Sequence, residues 1–213
     1  MGIQEFSNLK ANLSSMNKFF AENDVKLSDT EKAQIKSIFN DANTQKETDK
    51  TIEEQLTGEE RIGFLDKIKT ALPNIYNRIV DFFVAVEVTE DLEAYKKGTT
   101  QEEWFNTFYQ QYDENNPHHW CHTISNARIV VASLLYGNGD FARSICMAVQ
   151  AGFDTDCNGA TVGSIIGMAK GIDAIPKIWQ EPFHNTLHTS IFKVGTVEIS
   201  KCVEKTLEHI YEK

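Results

Sequence analysis

The chain has 213 residues, 41% hydrophobic, 10% aromatic and 24% charged, which is enough apolar material for one real core and excludes collagen-like, low-complexity and disordered classes. Its 31 acids against 21 bases give a formal charge of −10, which argues against nucleic acid or an anionic membrane as partner, because phosphate binding needs a basic surface. No stretch approaches the roughly 18–20 uncharged apolar residues of a membrane helix.

The opening Met1-Gly2-Ile3-Gln4-Glu5 has neither the basic nor the apolar region of an export signal. The expectation is a cytoplasmic protein whose cysteines (Cys121, Cys146, Cys157, Cys202) are reduced thiols. Ile3, Phe6, Leu9, Leu13, Met16 and Phe20 fall three or four apart, a helical stripe. Ser28-Asp29-Thr30-Glu31 is a capping box opening a helix with Ile35, Ile38 and Phe39. Residues 43–50 carry no apolar side chain and read as a loop. Thr57-Gly58-Glu59-Glu60 is a second box, before Ile62, Leu65, Ile68 and Leu72. Pro73 lacks an N–H and must break or restart that run. Ile75, Ile79, Phe82, Phe83 and Val86 then continue the stripe.

Thr100-Gln101-Glu102-Glu103 caps a helix bearing Trp104, Phe105, Phe108 and Tyr112. Further helices are predicted over about 123–136, from the turn at 137–140 to about Ala151, and from about Asn158 to Lys170, where Gly171 is a left-handed stop. Residues 191–199 are the only strand candidate, so the fold class is all-α. Two parts are expected: a charged helical segment over 1–65 and a second region over 66–213. Only 11 of the 81 residues in 118–198 are charged, and eight of the twelve glycines lie there. That window is expected to be the buried core holding the site, and Trp104, Trp120 and Trp179 are expected to be core.

The segment Gly152-Phe153-Asp154-Thr155-Asp156-Cys157-Asn158-Gly159-Ala160 sets two carboxylates at i and i+2 at the start of a helix. Two readings stand level. Asp at a helix N-terminus is favoured by capping and by the macrodipole; a close acid pair also suits a hard divalent cation. Asp154-x-Asp156-x-Asn158-Gly159 opens like an EF-hand loop, but the twelfth position, which must be a bidentate Glu, is Ile165. That reading is rejected. Gly159, Gly163, Gly167 and Gly171 recur every four residues along one helix edge, which signals close backbone packing.

Four blocks carry a resemblance: His122-Thr123-Ile124-Ser125-Asn126-Ala127-Arg128-Ile129-Val130-Val131, Leu135-Tyr136-Gly137-Asn138-Gly139-Asp140-Phe141, the Asp154–Asp156 segment, and Ala174-Ile175-Pro176-Lys177-Ile178-Trp179. In order and spacing they resemble the C-terminal half of the ADP-ribosylglycohydrolase family, firmest over 118–198, extending from about 66 to the end, with no likeness in 1–65. The resemblance implies an all-α orthogonal helix bundle with a dinuclear Mg²⁺ site, Mn²⁺ being the alternative. There the metals grip the terminal ribose of ADP-ribose and an acid-activated water cleaves the glycosidic bond. It assigns metal ligation to Asp154 and Asp156 and to the following residue. That residue is Cys157, whose thiol suits Mg²⁺ poorly. His122 and Asn126, on one helix face, and Gly152 are the implied substrate contacts.

The family's Gly-Asp-Ala-rich opening and Ser/Thr-Asp-Asp-Thr block are not found. Leu27-Ser28-Asp29-Thr30 is the nearest string and reads as a cap. The expectation is therefore a region of the family behind an unrelated helical segment, with the catalytic acid unidentified, a partner chain supplying the missing half, and ADP-ribose or an ADP-ribosylated substrate as ligand. The alternative is an ADP-ribose-binding or interaction module without hydrolysis. His118, His119, Cys121 and His122 are a weaker zinc candidate, too crowded in sequence to converge easily on one ion.

Overall fold

The computed structural model describes residues 10–41, 56, 58–117 and 119–211. Among them run α1 (Leu13–Glu22), α2 (Asp29–Asp41), α3 (Gly58–Ala71), α4 (Tyr76–Lys96), α5 (Gln101–Gln111), α6 (Thr123–Gly137), α7 (Phe141–Gln150), α8 (Thr155–Lys170), α9 (Lys177–Gln180) and α10 (Ile199–Tyr211). A small antiparallel hairpin, β1 (Thr186–His188) with β2 (Thr196–Glu198), sets Leu187 opposite Val197. The fold is all-α, and no helix among the described residues is long and apolar enough to cross a membrane.

The central helix is α4. Its buried Ile79, Phe82, Phe83 and Val86 repeat at three and four residues and so form one face. An aromatic relay ties the front of the chain to that face. Phe19 of α1 meets Phe82 at 5.7 Å, and Phe39 of α2 meets Phe64 of α3, which meets Phe83 at 5.8 Å. Both predicted boxes that lie in described residues form as drawn. Ser28 and Glu31 bond reciprocally, as do Thr100 and Glu103. Pro73 separates α3 from α4. One continuous apolar cluster runs from Ala11 to Ile166, so α1 and α2 share the core of the later helices. Ile3, Phe6, Leu9, the 43–50 loop, Thr57 of the second box and His118 lie outside the described residues.

The glycine edge of α8 packs on α7. A Cβ at Gly163 would lie 3.1 Å from Ile145 Cδ1, and one at Gly159 3.5 Å from Val149 Cγ2. Gly171 ends α8 with φ 78° and ψ 175°, a positive φ as expected but not a left-handed helical ψ.

Three expectations are corrected. The strand candidate over 191–199 supplies only Thr196–Glu198, and its partner Thr186–His188 was not foreseen. The buried core does not reach 198. No described residue after Ile166 is buried, and Met168, Ile178, Phe183, Phe192 and Ile210 are mostly exposed. Of the three tryptophans only Trp104 is core; Trp120 is 45% exposed, and Trp179 is half-buried against Phe141. The physical reason is shared: apolar periodicity identifies a face able to be buried, not the element that covers it.

Candidate metal site

The loop between α7 and α8 is fixed from both sides. Gly152 turns the chain with φ 76°, and Phe153 is fully buried with its ring 5.1 Å from Phe108 of α5. Asp154 then takes φ 34° and ψ 53°, a left-handed conformation costly for a residue with a Cβ. The strain is held by neighbours. Asn158 Nδ2 donates to Phe153 O at 2.9 Å and to Asn126 Oδ1 at 3.2 Å, and Asn126 Nδ2 donates to Asp154 Oδ2 at 2.8 Å. Because Asp154 starts the helix this way, α8 begins at Thr155, three residues before the expected start, and Asp156 and Cys157 stand in its first turn.

Asp154 occupies the N-cap position, yet its side chain makes no capping hydrogen bond. The bland reading of this acid therefore lacks its defining contact. Ligand atoms of Asp154, Asp156 and Cys157 lie within 4.8 Å of one another, the single such group of His, Cys, Asp or Glu among the described residues. A hydrogen bond to Asp154 and the charges of Asp154 and Asp156 push the Cys157 thiol up, so it stays protonated at neutral pH. Two exposed or half-exposed carboxylates suit a hard cation and offset the positive end of the α8 dipole; a neutral thiol does neither.

His122 caps α6, its Nδ1 accepting from Ile124 N at 3.2 Å, and burial holds its pKa below the ordinary value. It lines a cavity of about 310 Å³ shared with α3, α4 and the segment before α6. Asn126, one turn along α6, reaches Asp154. His122 and Asn126 thus stand one turn apart on α6, the first lining the cavity and the second bonded to Asp154. Gly152 is exposed and lines no part of the cavity. His119, Cys121 and His122 form no three-ligand group.

Sequence reasoning missed the charges beneath this cavity. Arg128 Nε and Nη2 donate to both oxygens of Asp91 at 2.9 and 2.7 Å, and its Nη1 reaches Glu87 Oε2 at 3.1 Å and Gln111 Oε1. Arg61 Nη1 lies 3.2 Å from Glu87 Oε1, and the same guanidinium forks onto Glu90. Tyr112 Oη donates to Glu87 Oε2 at 2.6 Å, and burial with the nearby Glu87 drives its pKa far up. Trp104 Nε1 donates to Asp91 at 2.8 Å. Although burial opposes its charge, Arg128 is held firmly protonated by Asp91 and Glu87. A signal was available. Ile79, Phe83, Glu87 and Asp91 follow one another at four-residue steps, so two acids continue an apolar face and must be paired.

The model of the family described as ADP-ribosylglycohydrolase matches residues 46–210, a span that opens within the 1–65 segment. No curated protein and no solved structure matches the chain. With most of its length matched, and with the Asp154–Asp156 group inside the match, the chain belongs to the ADP-ribosylglycohydrolase family.

Proposed function

We propose that the chain hydrolyses a glycosidic bond to ADP-ribose with a divalent cation, Mg²⁺ or Mn²⁺, held at Asp154 and Asp156. The observation that carries this is Asp154: a carboxylate in a strained left-handed conformation, spared from capping and aimed by Asn126. Strain of that kind, of order 1–3 kcal/mol, persists where surrounding structure over-determines it, and it clusters at functional sites. A bound divalent cation would supply Lewis acidity and orient ribose hydroxyls. The chain's own contribution is rigidity. Phe153 anchors the loop, Asn158 ties it to Asn126, and Asn126 fixes the rotamer of Asp154. In the reaction, water oxygen bonds to the anomeric carbon. The bond to the leaving group breaks with its electron pair, and the leaving group takes up the proton.

One observation favours the second reading, an ADP-ribose-binding module without hydrolysis. Glu87 faces the cavity, but both its oxygens are engaged by Arg61, Arg128 and Tyr112, so it is not free to take a proton from water. The apolar side chains exposed beyond Ile166 support a partner chain covering that side, and four free cysteines suit a reducing cytoplasm. Release of ADP-ribose from ADP-ribosylated peptides, with and without Mg²⁺, tests the proposal. Metal-dependent release lost in an Asp154→Asn, Asp156→Asn double variant is the expected result. ADP-ribose binding with no release at saturating metal would replace hydrolysis with the second reading.

A further inference from the structure

Asp156 and Cys157 are exposed at the start of α8, but the next residue, Asn158, is only 2% exposed. A buried amide is costly unless its polar atoms are bonded. The bonds of this one lead to Asp154 by way of another helix. Resting on the reading of Asp154 as a metal ligand, we propose that Asn158 is a positioning residue that acts on Asp154 through Asn126. Two amides in series fix which end of Asn126 meets the carboxylate and hold it there.

The reasoning is one of hydrogen-bond polarity. Phe153 O and the ionised Asp154 carboxylate can only accept. Asn158 Nδ2 donates to Phe153 O at 2.9 Å, which turns the nitrogen of that amide toward the loop. The same Nδ2 also donates to Asn126 Oδ1, at 3.2 Å. With its oxygen taken, Asn126 presents its own Nδ2 to Asp154 Oδ2, at 2.8 Å. Turning Asn126 over would set two N–H groups face to face at one end and two oxygens at the other, losing both of its bonds at once. Turning Asn158 over would lose its bonds to Phe153 and to Asn126. No other arrangement of the two amides makes all three bonds.

Asn158 has two routes by which it can matter. Its bond to Phe153 O steadies the loop. Its bond to Asn126 Oδ1 steadies an amide on α6, and through that amide the carboxylate. The loop has other holds: the Phe153 ring is buried against Phe108, and Asn158 N donates to Asp154 O at 3.0 Å whatever its side chain. Asn126 is only half-buried, and Asn158 holds its oxygen. Freed of that bond, the amide can rotate, and Asp154 loses a fixed donor. The route through Asn126 is therefore the one that reaches the metal ligand.

The full chain carries the test, first without metal. Side-chain nitrogen relaxation is expected to show a rigid Asn126 amide in the wild type and a mobile one in Asn158→Ala and Asn158→Leu. The two replacements, one smaller and one of similar bulk, both lack a donor. A mobile Asn126 in the wild type, or equal rigidity in the variants, would overturn the proposal. Mn²⁺ calorimetry gives the second readout. Each Asn158 variant is expected to bind several-fold more weakly, less than the loss of about 10–100-fold for a side chain bonded directly to a ligand residue. Added to Asn126→Ala, each is expected to cost nothing further, because the route through Asn126 is already cut. Unchanged affinity in the single variants, or losses that multiply in the double variants, would assign Asn158 to the loop alone and overturn the relay. The metal reading fails separately: a wild-type chain that binds no Mn²⁺ removes Asp154 as a ligand, while the relaxation measurement still decides whether Asn158 holds Asn126.

Discussion

Arg128→Met tests the buried ion network most directly. The substitution keeps an apolar stem over the rings of Phe108 and Tyr112, whose centroids lie 5.5 and 5.7 Å from the guanidinium carbon, and removes the charge. The two carboxylates lose unequally. Glu87 keeps Arg61 at 3.2 Å and Tyr112 at 2.6 Å, whereas Asp91 keeps only Trp104. Breaking a buried pair from one side costs about 3–5 kcal/mol, because the remaining charge stays desolvated. That is a large share of the roughly 5–15 kcal/mol that holds a domain together. With a urea m-value near 2 kcal/mol/M, the midpoint should drop by about 1.5–2.5 M. Trp104, bonded to the orphaned acid, gives a local fluorescence signal for the transition.

The pH dependence of that variant adds a sign. Burial already pushes Asp91 up, and Arg128 opposes that shift. Without Arg128 the folded-state pKa rises further above the unfolded value near 3.9. The contribution of Asp91 to the variant's stability is then greatest below about pH 4 and is lost as pH rises through the raised folded value. Asp91→Asn added to Arg128→Met should recover at least half of the loss at pH 7. A midpoint shift under about 0.5 M for Arg128→Met, or no recovery in the double variant, would refute the view that Asp91 depends on this arginine.

Asn126→Ala removes the amide that orients Asp154, and should weaken Mn²⁺ binding by about 10–100-fold in calorimetry while the helical signal is retained. Gly159→Ala should stabilise by about 0.5–1 kcal/mol, since its Cβ meets Val149 at an ordinary 3.5 Å and the helix gains propensity. Gly137→Ala should cost about 1–3 kcal/mol, since its Cβ would lie 2.9 Å from the Ser144 Cα; thermal denaturation of the two variants reads both signs. His122 is held below 6.5 by burial, so the unfolded chain binds that proton more tightly. Stability should rise with pH from the lowered folded value up to about 6.5 and then level off, and His122→Asn should flatten the rise in urea titrations at pH 5.5 and 7.5.

Local signals in the sequence were read well where local chemistry decides. Ser28 with Glu31 and Thr100 with Glu103 cap their helices because each box satisfies its own backbone donors. Of the four-residue glycine ladder, Gly159 and Gly163 face α7 through Val149 and Ile145, whereas Gly167 meets Ile175 and Gly171 stands in open space. Sequence left capping and ligation level at Asp154, and it could not show that the side chain makes no capping bond. That depends on a left-handed φ and on an amide 28 residues earlier in the chain. Arg61, Arg128, Glu87 and Asp91 were not singled out, because their pairing is a long-range event between α3, α4 and α6. Trp120 and the apolar residues beyond Ile166 misled for the opposite reason: hydrophobic character is visible in a sequence, but coverage is not.

The packing of α8 and the geometry of the acid pair are one problem. Asp154 and Asp156 sit at the start of α8, whose position along α7 is set by how closely glycines let the two helices approach. A Cβ at Gly163, 3.1 Å from Ile145 Cδ1, requires a shift of a few tenths of an ångström. The Asn126–Asp154 bond is 2.8 Å long and crosses from α6 to the α8 N-terminus, so a rigid displacement of α8 is felt there. Positioning for catalysis tolerates little more than such shifts before rates fall. Gly163 therefore bears on more than packing: the α7–α8 approach at that point also affects where Asp154 stands relative to Asn126 on α6. A pair on a loosely packed helix would keep its charges but lose its aim.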